Sequence, residues 1–298
     1  MNTTHEVKRV AVIGAGPSGM TAALYAARAG FETTIFEKQA PGGQMVNTAT
    51  IDNFPGHTNT PGFQLAKDML DTLTSTSANI VYKEVTQISK TTDGFEITTS
   101  DQTQPFDYVI FASGISPRRL EVPEYDKFFG RGISTCVICD SSLVKGKPVV
   151  IVGGGNSAIE ESIYISNIAS DVVVINRDAQ PIAEESIITA ASKISNITIM
   201  NSKTIVNVNG QNSIESVTLD DGTVIPTTAV FTYIGWIPKT DLINFDIELN
   251  EVGFIKVDSN KQTSQKGMFA IGDITEKEFR QITTSIADGT LAALSLGK

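Results

Sequence analysis

The 298 residues predict an α/β fold of two similar three-layer ββα domains, the second inserted in the first. Three observations carry that expectation. The length suits about two domains at roughly 150 residues each. A phrase of strand, glycine-rich turn, helix and strand occurs twice. The residues after about 245 are too few for a third domain and return to complete the first.

The first phrase opens with Val10-Ala11-Val12-Ile13, an apolar, mostly β-branched run that suits a parallel strand covered on both faces. Gly14-Ala15-Gly16-Pro17-Ser18-Gly19 follows, then a helix pattern from Met20 to Ala29 and a strand from Thr33 to Phe36. The second phrase runs Val149-Val150-Ile151-Val152, Gly153-Gly154-Gly155-Asn156-Ser157-Ala158, a helix pattern from Ile159 to Ile168, and a strand from Val172 to Ile175. Short strands with hairpin signals at Asp93-Gly94 and Asp221-Gly222 come next in each half. The halves close alike, on Val109-Ile110-Phe111-Ala112-Ser113-Gly114 and on Val230-Phe231-Thr232-Tyr233-Ile234-Gly235. In the tail, Phe254 to Val257 and Met268 to Asp273 read as strands, and Ile282 to Leu296 as a helix. The expected domains are 1–117 with 243–298, and an inserted 118–242. Pro117, Pro123 and Pro238 stand at the connections, where stiff linkers are expected.

Composition narrows the function. The 23 Lys and Arg against 33 Asp and Glu leave a charge of −10. That balance opposes nucleic-acid binding and a polybasic membrane patch. Hydrophobic residues at 41% and charged residues at 19% exclude a disordered chain. No apolar run reaches the ~18 residues of a membrane span. Met1 to Lys8 is polar and carries no leader pattern, so a cytoplasmic protein is expected.

Gly14, Gly16 and Gly19 have the spacing of a dinucleotide loop. The first permits the tight turn, the second admits a pyrophosphate, and the third lets helix pack on strand. The helix N-terminus offers N–H donors to phosphate. Glu37, at the end of the next strand, suits a ribose hydroxyl. A ligand-free tight turn is the alternative for the glycines alone. Cys136 and Cys139 are the only cysteines. A zinc half-site lacks partners, since His5 and His57 have no ligand spacing, and no metal site is expected. Two inert buried cysteines or a redox-active dithiol remain.

Taken in order, Gly14 to Gly19, Pro41-Gly42-Gly43-Gln44, Asp52-Asn53-Phe54-Pro55-Gly56, Cys136-Val137-Ile138-Cys139-Asp140, Gly272-Asp273 and Arg280-Gln281-Ile282 resemble the motifs of the low-molecular-weight thioredoxin reductases. The resemblance covers essentially the whole chain. It implies two Rossmann-like dinucleotide-binding domains, FAD on the first loop, and a homodimer. The implied FAD-binding residues are Gly14, Gly16, Pro17, Ser18, Gly19, Glu37, Lys38, Gly43, Gln44, Asn53, Val85, Ser113, Gly114, Gly272, Asp273, Arg280, Gln281 and Ile282. It also implies that Cys139 faces the flavin, that Cys136 attacks a substrate disulfide, and that Asp140 exchanges protons with the thiols. A helix-start acid that merely suits the dipole is the alternative for Asp140.

The chain departs from the family at two places. The family reads the 2′-phosphate of NADPH with His-Arg-Arg-x-x-x-Arg. Here the stretch is Asn176-Arg177-Asp178-Ala179-Gln180-Pro181-Ile182, so only Arg177 survives. A carboxylate beside a phosphate is repulsive. Ferredoxin, NADPH held weakly, and NADH are therefore all candidate donors, the first because nucleotide-independent relatives exist. The family also follows its Cys-x-x-Cys-Asp with Gly-Phe-Phe, a docking wall for thioredoxin. Here Asp140 is followed by Ser141-Ser142-Leu143. Arg131 and the apolar Phe128 and Phe129 are expected to serve docking instead. Thioredoxin is the expected partner, a glutaredoxin-like or peroxiredoxin-reducing protein another. Two rivals use the same fold: a flavin or ferredoxin–NAD(P) oxidoreductase, which needs no dithiol, and a non-catalytic flavin redox sensor.

Overall fold

The computed structural model describes residues 7–48 and 51–298. The chain forms two compact units, Met1–Ser116 with Ile237–Lys298, and Pro117–Trp236.

The first unit is built on a five-stranded sheet in the order Met268–Ala270, Tyr108–Phe111, Arg9–Ile13, Glu32–Phe36, Asn79–Val81. All its pairings are parallel. Val10, Ala11, Val12 and Ile13 are buried, as strands covered on both faces must be. Helices Pro17–Arg28, Gly62–Thr74 and Ile282–Ser295 belong to this unit, as does an antiparallel sheet of Val85–Lys90, Phe95–Thr99 and Thr103–Phe106. The first helix is rich in alanine, so its neighbours come close. A Cβ on Gly289 of the last helix would lie 2.4 Å from Ser18 O. Burial of Ala22, Ala23, Ala26, Ala292 and Ala293 seals that contact.

The second unit repeats the plan. Its parallel sheet runs Ile197–Met200, Asp171–Ile175, Pro148–Val152, Ala229–Thr232, Ile133–Ser134. Alternation along one strand divides its two cores. Val150 and Val152 join Val208 and Val217 of the antiparallel sheet, while Val149 and Ile151 join Ala158, Ile159 and Ile165 of helix Asn156–Ser166. Segments Ile115–Pro117 and Trp236–Pro238, at the two chain crossings, pair in a two-stranded sheet.

The tail differs from the expected strand at Phe254 to Val257. Only isolated bridges form there, from Ile255 to Leu249 and to Thr275. Strand Met268–Ala270 is likewise short, because Gly272 turns the chain at φ +74° into the 3-10 turn Gly272–Ile274. Among the described residues, no helix is long and apolar enough to cross a membrane. His5 lies outside the described residues; among those described, no group of three or more His, Cys, Asp or Glu could hold a metal.

Candidate active site

The first glycine turn is dictated by sterics. Gly14 has φ +103°, and a Cβ there would lie 2.5 Å from Ala112 O. A Cβ on Gly19 would lie 1.9 Å from Gly14 O, so only glycine lets the helix start against the strand. Gly14 N donates to Phe36 O at 2.8 Å. Helix Pro17–Arg28 begins with proline in its first turn and has no side-chain cap on its first amides. Uncapped N–H groups at a helix start are donors in search of an anion. Ser18 is buried beside them.

The Pro41–Gln44 loop lies against this turn. Gly42 N donates to Ala15 O at 2.7 Å, and a Cβ on Gly43 would lie 3.2 Å from Gly16 Cα. Gln44 Nε2 donates to Ile115 O at 2.7 Å. Glu37 receives Ala15 N at 2.8 Å and Gln39 N at 2.8 Å. The carboxylate expected to read a ribose thus first braces the glycine turn. Lys38 is exposed and pairs with Glu84 at 3.2 Å. Val85 is buried in the antiparallel sheet, while Ser113 and Gly114 follow strand Tyr108–Phe111 at its C-terminal end.

The Gly272–Ile282 segment forms a second wall. A Cβ on Gly272 would lie 2.6 Å from Ser18 Oγ, which brings this corner onto the first helix. Burial pushes the Asp273 carboxyl up, opposed by the charges of Lys277 and Arg280. Asp273 Oδ1 faces Ser285 Oγ at 3.5 Å, a weak contact that leaves acceptor capacity for another hydroxyl. Arg280 is not a solvated side chain. Its guanidinium donates to the carbonyls of Asp273, Thr275 and Lys277 at 3.1 to 3.3 Å and lies 4.3 Å over the Phe254 ring. Gln281 caps helix Ile282–Ser295 in a reciprocal box with Thr284, and its Oε1 accepts Asn53 Nδ2 at 3.1 Å. The motifs at 14–19, 41–44, 53 and 272–282 are therefore joined by direct contacts within the first unit. Uncapped amides, side-chain-free backbone and an under-partnered buried carboxyl suit a flavin dinucleotide.

One group of residues at this corner escaped the sequence reading. Asp288, buried on the last helix, accepts Gly272 N at 3.0 Å, pairs with Lys261 at 2.8 Å and pairs with Lys277. The Asp-Gly pair at 288–289 resembles any mid-helix irregularity, and only the fold brings two lysines to it.

In the second unit, Cys136 and Cys139 are joined in a disulfide. Cys136 is extended, at φ −143° and ψ 101°, and precedes the short helix Val137–Asp140. Its Sγ accepts Cys139 N at 3.2 Å. Val137 is fully buried, so the intervening side chain anchors the turn, whereas Ile138 is 40% exposed. Burial pushes the Asp140 carboxyl up, and a hydrogen bond with Ser134 opposes it. A buried acid whose pKa is raised, next in the chain to Cys139, suits proton exchange with the thiols. The docking expectation for Phe128 is corrected here. Phe128 is 1% exposed, because its helix turn Tyr125–Phe128 drives it into the core with Ile133 and Val230. Phe129 is half-buried and stacked on Tyr125. The exposed apolar side chains beside the pair are Ile138 and Leu143.

The second glycine turn keeps its form. Gly153 has φ +141°, and Gly153 N donates to Ile175 O at 3.0 Å. Asn176 stands where the repeat puts Glu37, and is buried. It holds Asp178 N and Asp178 O, and donates to Asn201 Oδ1 at 2.9 Å. Arg177 is exposed, with Asp178 at 3.8 Å. Ile182 N and Ala183 N donate to Gly154 O, and Glu184 N donates to Asn156 Oδ1 at 2.8 Å. Glu161 follows on the helix, with Oε2 buried and unpartnered and its carboxyl pushed up by burial and by Glu160.

The family model for pyridine nucleotide-disulphide oxidoreductases matches residues 8–289. The thioredoxin reductase of Ureaplasma parvum is 39% identical, covering 97% of this chain and 96% of its own. A 34.2 kDa protein in the rubredoxin operon of Clostridium pasteurianum is 37% identical, covering 96% and 95%. The crystal structure of the thioredoxin reductase from Streptococcus pyogenes superposes with a TM-score of 0.90 at 34% identity, covering 97% of both chains. With its glycine turns, its Cys-x-x-Cys-Asp turn and this full-length likeness, the chain belongs to the pyridine nucleotide-disulphide oxidoreductase family, within its thioredoxin reductases.

Proposed function

We propose that the chain is an FAD-dependent reductase of a protein disulfide, thioredoxin being the substrate. The observation that carries this is the Cys136–Cys139 disulfide on a turn whose next residue, Asp140, has its carboxyl pushed up by burial. In this reading the unit that contains both termini is the FAD-binding domain, and Pro117–Trp236 is the inserted NAD(P)-type domain that carries the dithiol. The residues that hold FAD are Gly14, Gly16, Pro17, Ser18, Gly19, Glu37, Lys38, Gly43, Gln44, Asn53, Val85, Ser113, Gly114, Gly272, Asp273 and Arg280 to Ile282. Bound there, FAD supplies the two-electron reduction that opens the disulfide. The Cys136 thiolate then attacks the substrate disulfide and forms a mixed disulfide. Cys139 attacks the Cys136 sulfur, releases the reduced substrate thiol and closes the Cys136–Cys139 bond. Asp140 takes a proton from a thiol before attack and returns one to the leaving sulfur. Ile138 and Leu143, both exposed, offer apolar contact where the family's aromatic wall is missing.

The donor reading rests on the 176–184 segment. Arg177 stands without two of the family's arginines, and Asp178 opposes a 2′-phosphate. A reduced ferredoxin is the donor this favours, with weakly held NADPH next and NADH last. The working form is a cytoplasmic homodimer, on family likeness. Flavin-loaded protein is mixed anaerobically with NADPH, NADH or chemically reduced ferredoxin, and flavin absorbance and thioredoxin thiols are followed. Ferredoxin alone bleaching the flavin supports the donor reading. Thioredoxin left oxidised under every donor overturns the function.

A further inference from the structure

In both halves, the residue that follows the closing strand packs on the glycine turn. Ala112 N donates to Ile13 O at 2.9 Å, and Tyr233 N donates to Val152 O at 2.7 Å. A Cβ on Gly14 would lie 2.5 Å from Ala112 O, and one on Gly153 would lie 2.4 Å from Tyr233 O. The backbone arrangement is the same and the side chain is not. The first half manages this position with a methyl group, so the fold does not demand a tyrosine.

The ring of Tyr233 reaches the redox turn. Its Oη accepts Val137 N at 2.9 Å. Val137 N belongs to the peptide that leaves Cys136. The Val137 side chain sits in the helix-side core against which Tyr233 packs. Burial, and after it the charges of Glu161 and Asp140, push the Tyr233 hydroxyl up, so the phenol stays neutral and available as an acceptor. One residue therefore has its main chain in the glycine turn and its hydroxyl on the Cys136–Val137 peptide.

We propose that Tyr233 is a positioning residue for the Cys136–Cys139 pair, its hydroxyl holding the Cys136–Val137 peptide so that the open dithiol keeps the turn that the disulfide enforces covalently. The inference rests on the reading of the pair as redox-active. In the disulfide, the sulfur–sulfur bond closes the turn whether or not Val137 N is held. In the dithiol, only hydrogen bonds close it. Losing the hydroxyl leaves the disulfide locked in that turn with Val137 N unpaired, whereas the dithiol can open and give that N–H to solvent, so the exchange of the pair's disulfide with two glutathione thiols, giving dithiol and glutathione disulfide, moves toward the protein dithiol. A buried donor left unpaired is costly enough for a shift of about tenfold.

The test uses the flavin-loaded full chain, equilibrated without oxygen in glutathione buffers of graded ratio. Alkylation and mass measurement then count the thiols. Y233F is expected to move the midpoint about tenfold toward dithiol. V137P removes the same bond from the donor side, at a helix-start position after an extended residue that accepts a following proline. It is expected to shift the midpoint in the same direction, by less because no donor is left unpaired, and Y233F on the V137P background is expected to add less than about twofold. Should Y233F fail to fold, the V137P shift alone decides. A midpoint equal to the parent's in either variant, or full additivity in the double variant, overturns the role. A parent pair that does not interconvert with glutathione overturns the redox reading instead, and this inference with it.

Discussion

Converting Asp178 and Ile182 to arginine should turn the second glycine turn into a reader of 2′-phosphate. The magnitude follows from the exposure of both positions. Ile182 is 80% exposed and the Asp178 side chain 51% exposed, so D178R/I182R empties no core. Ile182 contributes its N–H to Gly154 O at 2.8 Å, which arginine retains. Asp178 likewise keeps the backbone groups that Asn176 holds. The folding cost therefore stays within ~0.5 kcal/mol. A charge-assisted hydrogen bond to phosphate is worth ~1.5–3 kcal/mol when sheltered. At exposed positions, screening reduces each to about 1 kcal/mol. Removing Asp178 also lifts a like-charge repulsion of about 1 kcal/mol at ~4 Å in water. The total is about 3 kcal/mol, or roughly 100-fold in affinity. Calorimetric titration with 2′,5′-ADP, with 5′-AMP as control and at two salt concentrations, measures it without any need for turnover. The 2′,5′-ADP constant should tighten about 100-fold while 5′-AMP changes little. A gain below about threefold would refute the reasoning, because the segment would then not lie where the phosphate binds.

Three further outcomes are expected. G19A places a methyl 1.9 Å from Gly14 O, and should cost about 1–3 kcal/mol and yield protein without bound flavin, read from absorbance and a thermal melt; retained flavin would contradict the cradle. Asp288→Ala leaves Lys261 and Lys277 without their shared counter-ion and Gly272 N without its acceptor, and should cost about 3–5 kcal/mol in chemical denaturation; a loss under about 1 kcal/mol would show that solvent replaces the carboxylate. Asp140 has its carboxyl raised by burial, so the folded protein binds its proton more tightly than the unfolded chain, and this group's contribution to stability falls as pH rises from the ordinary carboxylate range through the raised value. D140N should flatten that slope and cut thioredoxin reduction by roughly 100-fold; an unchanged slope and turnover would leave Asp140 as a helix-start acid.

The parts legible in the sequence are those in which neighbouring residues settle their own conformation. Gly14 and Gly19 announce a turn because no other residue fits 2.5 Å and 1.9 Å from a carbonyl oxygen. Cys136 and Cys139 lie close enough along the chain to bridge within one turn. The repeated strand, turn and helix follow from periodicity and β-branching, which need no distant partner. The motif order further led to the family.

Other features depend on residues that are distant in the chain. Tyr233 and Val137 are 96 positions apart, and nothing local marks that tyrosine as a partner of the dithiol. The sequence marks Phe128 only as an apolar side chain near the dithiol, yet its burial depends on Ile133, Val150 and Val230 across the sheet. Asp288 acquires its meaning only when the last helix brings it to Gly272, Lys261 and Lys277. Arg280 lies over the ring of Phe254, 26 positions back in the chain. The sequence by itself determined the two glycine turns and the Cys-x-x-Cys spacing, and its resemblance to the family marked the redox pair and the missing phosphate clamp, because each is written in contiguous residues. Only the tertiary structure decided which side chains hold those parts in place, because burial and hydrogen bonding depend on what the fold carries to the other side of the contact.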